Sequence, residues 1–229
     1  MGIWPITFVS GATLDYMGLT MRSSLLVLLV IALAWPTSAL AQDRMPPIPG
    51  DRLTDAQRKA MADFRDARGG DVSGPFVPLL RSPEVMSRAR AMGDYLRFRS
   101  TLPARLREFV ILLTARRWTQ QYEWAAHYRL AVAAGLRPEI ARALVDGARP
   151  AAMAEDEEIL YEFCTELQLN QSVSDGTYGR LASKFGEQGV VDTIGLVGYY
   201  TMLAMVLNTA RTPVPPGDTP PLRPFPAQK

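Results

Sequence analysis

From Gly189 to Asn208 the chain is apolar on nearly every side of a helix, with Leu196, Tyr199, Tyr200, Met202, Leu203, Met205 and Leu207 leaving no polar stripe. A helix of that kind must be covered by other elements of the fold or by another subunit. The rest of the chain offers helices to cover it. Helix start and stop signals recur along its length, and no stretch alternates polar and apolar residues with the strand period of two. The sequence therefore predicts an all-α fold, a helical bundle.

The signals place the helices. Thr54-Asp55 opens one that runs to about Ala67, where Gly69-Gly70 stops it. Gly74 to Pro78 reads as a loop, and Ser82 with Pro83 in the first turn opens a helix to about Arg99. Leu102-Pro103 begins a helix through Arg117, and Thr119 or Gln120 begins the next, with Gly135 placed as its C′ glycine. Shorter helices follow over Pro138 to Val145, Ala154 to Leu169 and Asp175 to Phe185, before the long apolar one. This helical domain spans 54–212, between a Pro-rich linker at 42–53 and a Pro-rich tail at 213–229 that reads as an extended arm.

Residues 1–41 read as a leader. Met21-Arg22 starts a basic segment, Leu25 to Trp35 is an apolar run of about eleven residues, and Ala39-Leu40-Ala41 is a small-x-small cleavage site. The run is shorter than the roughly 20 residues a bilayer span needs, so a cleaved signal peptide and a periplasmic or secreted product without a stable membrane anchor are expected. Cys164 is the only cysteine, which leaves no internal disulfide and reads as a small core residue beside Leu160, Phe163 and Leu167. A net charge of +2 without long blocks of like charge offers nucleic acid no footing.

The chemistry concentrates on two neighbouring helices. His127 is the only histidine, and it follows Glu123 by four residues, so both lie on one helical face with Ala126, Leu130 and Ala134. On the preceding helix Glu108 shares a face with Ile111, Leu112 and Ala115. If the chain reverses near Trp118-Thr119, the 1.5 Å rise per residue puts Glu108 and His127 at similar heights on antiparallel helices. Glu108, Glu123 and His127 can then converge, and the carboxylates favour an imidazolium able to hold and release a proton. A buried structural Glu–His pair is the competing reading. A carboxylate-rich metal set is a third, weakened by the single histidine.

Leu102-Pro103-Ala104-Arg105-Leu106-Arg107-Glu108, followed by Gln121-Tyr122-Glu123-Trp124-Ala125-Ala126-His127 and Ala134-Gly135-Leu136, resembles the carboxymuconolactone decarboxylase family. That family shares an all-α fold with the alkylhydroperoxidase-D-like proteins. The resemblance is strongest over Leu102 to Leu136 and looser from Gly74 to about Pro215. It implies a trimer or hexamer, no cofactor, and Glu108 and His127 as working groups, to which the shared helical face adds Glu123. The peroxidase branch carries a CxxC; aligning Glu108 and His127 with its supporting Glu and His puts Gln120 and Glu123 where the cysteines would stand. A dithiol cycle needs both sulfurs, so a thiol peroxidase is not expected.

The decarboxylase branch removes CO₂ from a carboxylated muconolactone. By that resemblance Arg105 or Arg107 would orient a substrate carboxylate, and His127 with a glutamate would supply the proton. Muconolactones arise in the cytoplasm while this chain reads as exported. The expectation is therefore an enzyme acting on another small carboxylated or lactone-like compound, or else a binding protein for a small acid on the same scaffold.

Overall fold

Thr54 caps the first helix: its hydroxyl accepts from the Gln57 amide, and the Gln57 side chain accepts in return from the Thr54 amide. Such a reciprocal cap satisfies two amides that a bare helix start leaves without partners. Helix α1 (Asp55–Arg68) ends at Gly69, whose φ of 71° is the left-handed conformation glycine adopts at no steric cost. The computed structural model describes residues 42–214, 217 and 221–223, and the 1–41 leader read as a signal peptide lies outside the described residues.

Among the described residues seven further α-helices follow: α2 (Phe76–Leu79), α3 (Pro83–Phe98), α4 (Ala104–Arg117), α5 (Gln121–Ala133), α6 (Pro138–Val145), α7 (Glu155–Asn170) and α8 (Asp175–Ala210). No strand occurs among the described residues. Most boundaries lie within one or two residues of the sequence signals, with Gly135 in positive φ just after α5. Two elements differ. Gly74 to Pro78, expected as a loop, contains the single turn of α2, because Phe76 is drawn into the core against Phe64 at 5.0 Å between ring centroids. The expected helices over Asp175 to Phe185 and Gly189 to Asn208 run together as α8 across a break at Gly186, whose φ of 71° only glycine accepts readily.

Helix α4 is the centre of the fold and packs against α3, α5, α6, α7 and α8. Leu106, Phe109, Val110, Ile111 and Leu112 are fully buried, so this helix is covered on almost every side. The single chain covers the apolar α8 only in part. Leu196, Tyr199, Tyr200, Leu203 and Leu207 face the core, whereas Val191, Ile194 and Met205 are exposed in the single chain. By length and composition α8 could cross a bilayer, yet 56% of its most apolar stretch is buried inside the protein, as in a core helix.

The Pro-rich ends dock on the helical body. The Arg44 amide donates to the Ala210 carbonyl at 2.7 Å, and Arg81 donates to the Pro46 carbonyl at 2.8 Å. In the tail, Leu222 is buried, and its backbone N–H and C=O pair with the Gln121 side-chain amide at 2.9 and 2.7 Å. Buried Asp192 of α8 accepts from the Thr101 amide and hydroxyl and from the Tyr95 hydroxyl. It thereby holds the segment from which α4 starts.

Candidate active site

The reversal between α4 and α5 passes through Thr119, a non-glycine residue at positive φ. Gln120 then caps α5: its side-chain oxygen accepts from the Tyr122 and Glu123 amides, and its amide donates to Asn208 of α8 at 2.8 Å. Gln120 therefore organises the first turn of α5. That turn carries Tyr122 and Glu123.

The hairpin brings Glu108, Glu123 and His127 together. His127 Nδ1 donates to Glu108 Oε2 at 2.6 Å, and Nε2 lies 3.4 Å from Glu123 Oε2. The imidazole is buried and stands edge-on to the Tyr200 ring, 5.1 Å between centroids. Burial disfavours its charged form, but the hydrogen bonds and charges of Glu108 and Glu123 together outweigh it and raise the His127 pKa above the ordinary 6.5. An imidazolium placed in this way donates to Glu108 from Nδ1 and keeps its Nε2 within ion-pair distance of Glu123. Glu123 Oε1 is buried and has no hydrogen-bond partner.

Glu123 and His127 line a cavity of about 150 Å³. Its other walls come from distant parts of the chain: Arg68 at the end of α1, Phe76 of α2, Arg97 of α3, and Tyr199 and Tyr200 of α8. Arg68 stacks over the Phe76 ring at 4.7 Å and pairs with Asp94 at 2.8 Å. Burial raises the pKa of Tyr122, of Tyr199 to about 12 against the opposing charge of Arg68, and of Tyr200 well above its ordinary value. All three hydroxyls are thus protonated hydrogen-bond donors at neutral pH.

Two glycines make room for these tyrosines. A Cβ on Gly93 would lie 2.3 Å from the Tyr199 hydroxyl, and one on Gly74 would lie 2.9 Å from the Tyr122 hydroxyl. Gly74 also holds φ +58°, which a side chain would strain.

The two arginines expected to meet substrate stand elsewhere. Arg105 is taken by the acidic first turn of α7, where it donates to Glu157 and, at 2.6 Å, to Asp156. Arg107 donates to the Leu102 carbonyl. Neither lines the cavity, whose guanidinium groups are those of Arg68 and Arg97. Sequence reasoning passed over both, because each sits on a helix whose local pattern says nothing about α5. In sequence Tyr199 and Tyr200 read as core; two adjacent hydroxyls on an otherwise apolar helix are the available signal. Cys164 is fully buried, and burial raises its pKa, as suits a core residue. Among the described residues no group of three or more His, Cys, Asp or Glu side chains is arranged to hold a metal ion.

The fold has solved relatives. An uncharacterized peroxidase-related protein from Silicibacter sp. TM1040 superposes with a TM-score of 0.61 at 18% identity, covering 74% of this chain and 91% of that one. The alkylhydroperoxidase AhpD core of a peroxidase-related protein from Ralstonia eutropha JMP134 gives 0.58 at 17% identity, covering 72% and 88%. A cysteine-to-alanine form of the debrominase Bmp8, in complex with 2,3,4-tribromopyrrole, gives 0.59 at 8% identity, covering 76% and 93%. No curated protein matches the sequence. Residues 83–158, which supply Glu108, Glu123 and His127, match the carboxymuconolactone decarboxylase family, and they do so on an all-α bundle of the alkylhydroperoxidase-D-like kind.

Proposed function

We propose that the protein is a cofactor-independent acid/base enzyme, similar to the carboxymuconolactone decarboxylases, acting on a small carboxylated or lactone-like compound. The observation that carries this is the row Glu108–His127–Glu123, hydrogen-bonded at Nδ1 and ion-paired at Nε2, opening on a cavity lined by arginines and protonated tyrosines. In this reading the substrate's carboxylate leaves as CO₂, and its electron pair passes into a neighbouring carbonyl to give an enolate. Tyrosine hydroxyls donate to the enolate oxygen. The imidazolium of His127 then returns a proton to carbon, and Glu108 keeps the ring oriented and charged.

The family match over residues 83–158 supports enzyme chemistry on this scaffold and leaves the substrate open. Incubation with a set of carboxylated lactones and related acids, followed by mass spectrometry, tests the proposal. Loss of CO₂ in the wild type and none in a folded His127→Ala variant is expected. Equal turnover in both would sink the assignment. Tight ligand binding with no product for any compound would favour a small-acid binding protein on the same scaffold.

A homo-oligomer, trimer or hexamer, is part of the same proposal. It is supported by the exposed apolar residues Val191, Ile194 and Met205 along α8. A monomer by light scattering would contradict it.

A further inference from the structure

The cavity has a charge arrangement that the proton-handling row does not explain. Arg97 reaches it from α3 with its Nε buried and lacking any hydrogen-bond partner. Among the described residues Arg97 forms no ion pair, and its guanidinium carbon lies 5.1 Å from the ring of the exposed Phe98. Arg68, on the same cavity, shares the single carboxylate of Asp94 with Arg90. On another wall, Glu123 is nine-tenths buried or more, at 3% exposure, and its Oε1 accepts no hydrogen bond.

Arg68 and Arg90 share Asp94, Glu108 and Glu123 serve His127, and Arg97 is left without a carboxylate partner among the described residues. One positive charge is left over in a partly dry site, where an unbalanced charge is costly. A single bound anion balances it. The cavity volume of about 150 Å³ is that of a pocket for one six-membered ring, and Phe76, Tyr122, Tyr199 and Tyr200 give it aromatic walls.

We infer that Arg97 is the specificity-determining residue of this site, taking with Arg68 the one anionic group of a single-ring ligand whose hydrogen-bond donor is accepted by Glu123 Oε1. This rests on the reading of the cavity as the substrate site and adds to it the ligand class: a one-ring monoanion that also carries a hydroxyl or comparable donor. Arg97 is planar and forked, so it suits a carboxylate held by two parallel hydrogen bonds, and a lysine would hold the same group less well. Arg105 and Arg107 have no part in this recognition, since their own partners hold them away from the cavity.

Calorimetry with inert probes separates this inference from the catalytic one, because it needs no turnover. The probes are 3- and 4-hydroxybenzoate, the corresponding hydroxybenzamides, which lack the charge, and benzoate, which lacks the donor. The wild type should bind at least one hydroxybenzoate about tenfold or more tightly than its amide, and several-fold more tightly than benzoate. Arg97→Gln should abolish the preference for charge, Arg97→Lys should restore part of it, and Glu123→Leu, which removes the acceptor, should abolish the preference for the hydroxyl. Circular dichroism establishes that each variant is folded. Binding that ignores charge, or a charge preference that survives Arg97→Gln, overturns the assignment of Arg97 and leaves the proton chemistry standing. Failure of every probe to bind the folded wild type overturns the cavity reading, and this inference with it.

Discussion

His127 Nδ1 lies 2.6 Å from Glu108 Oε2, a contact that ties α4 to α5 across 19 residues of sequence. Both side chains are largely withdrawn from water, at 6% and 13% exposure, so each depends on the other for a partner. Glu123, one turn before His127, meets the second ring nitrogen. The imidazole is thereby held in one orientation at the wall of the cavity.

Removing Glu108 should cost stability as well as activity. Glu108→Gln preserves the shape and removes the charge, and leaving a buried imidazole poorly paired costs about 1–3 kcal/mol. The discount from a full buried ion pair reflects Glu123, which still serves the ring. Denaturant titration measures this; a variant as stable as wild type would show that the pair contributes nothing to the fold.

The stability of the native state should depend on pH through His127. Its folded pKa is raised above the unfolded value near 6.5, so its contribution is fully present below that value and is lost as pH rises through the folded pKa. The gap in melting temperature between wild type and His127→Gln should therefore be largest in mildly acidic buffer and shrink toward alkaline pH. An NMR titration of the single histidine gives the same quantity directly. A folded pKa below 6.5 would contradict the dominance of the carboxylates over burial.

Cys164 should resist thiol reagents in the native protein. It is fully buried and its pKa is raised by burial, so the reactive thiolate is scarce and inaccessible. Labelling should follow global unfolding, with a rate that accelerates with denaturant as unfolding does. Prompt labelling of the native chain would reopen a redox role.

Gly93→Ala should damage the cavity through Tyr199. Its Cβ would stand 2.3 Å from the Tyr199 hydroxyl and 2.7 Å from the carbon that bears it. Overpacking of this kind costs about 1–3 kcal/mol, offset in part by the better helix propensity of alanine, about 1 kcal/mol. In a Tyr199→Phe background the cost should fall without vanishing, since the ring carbon still crowds the new methyl. A double-mutant cycle by thermal unfolding reads this coupling, and strict additivity would mean that the two residues do not meet.

Much of the fold was legible because helix signals are local. Thr54, Pro83 and Gly135 mark helix ends through backbone conformations set within a few residues, and the structure places them accordingly. The meeting of Glu108, Glu123 and His127 was legible for a related reason: a short reversal between two helices converts sequence distance into height, leaving little room for error. The α2 turn was hidden because Phe76 owes its place to Phe64, not to its own neighbours in sequence.

The arginines mark the division most clearly. By itself the sequence determined an all-α chain with one histidine paired to carboxylates on an apolar face, because helical periodicity assigns faces without reference to the rest of the molecule. Only the tertiary structure decided which carboxylates the arginines serve. Arg105 lies beside Glu108 in sequence, yet it answers Asp156 and Glu157 from α7. Arg68 and Arg97, tens of residues upstream, line the cavity of His127 instead. An ion pair depends on where two helices come to rest against each other, and that is set by packing over the whole core, beyond the reach of local spacing.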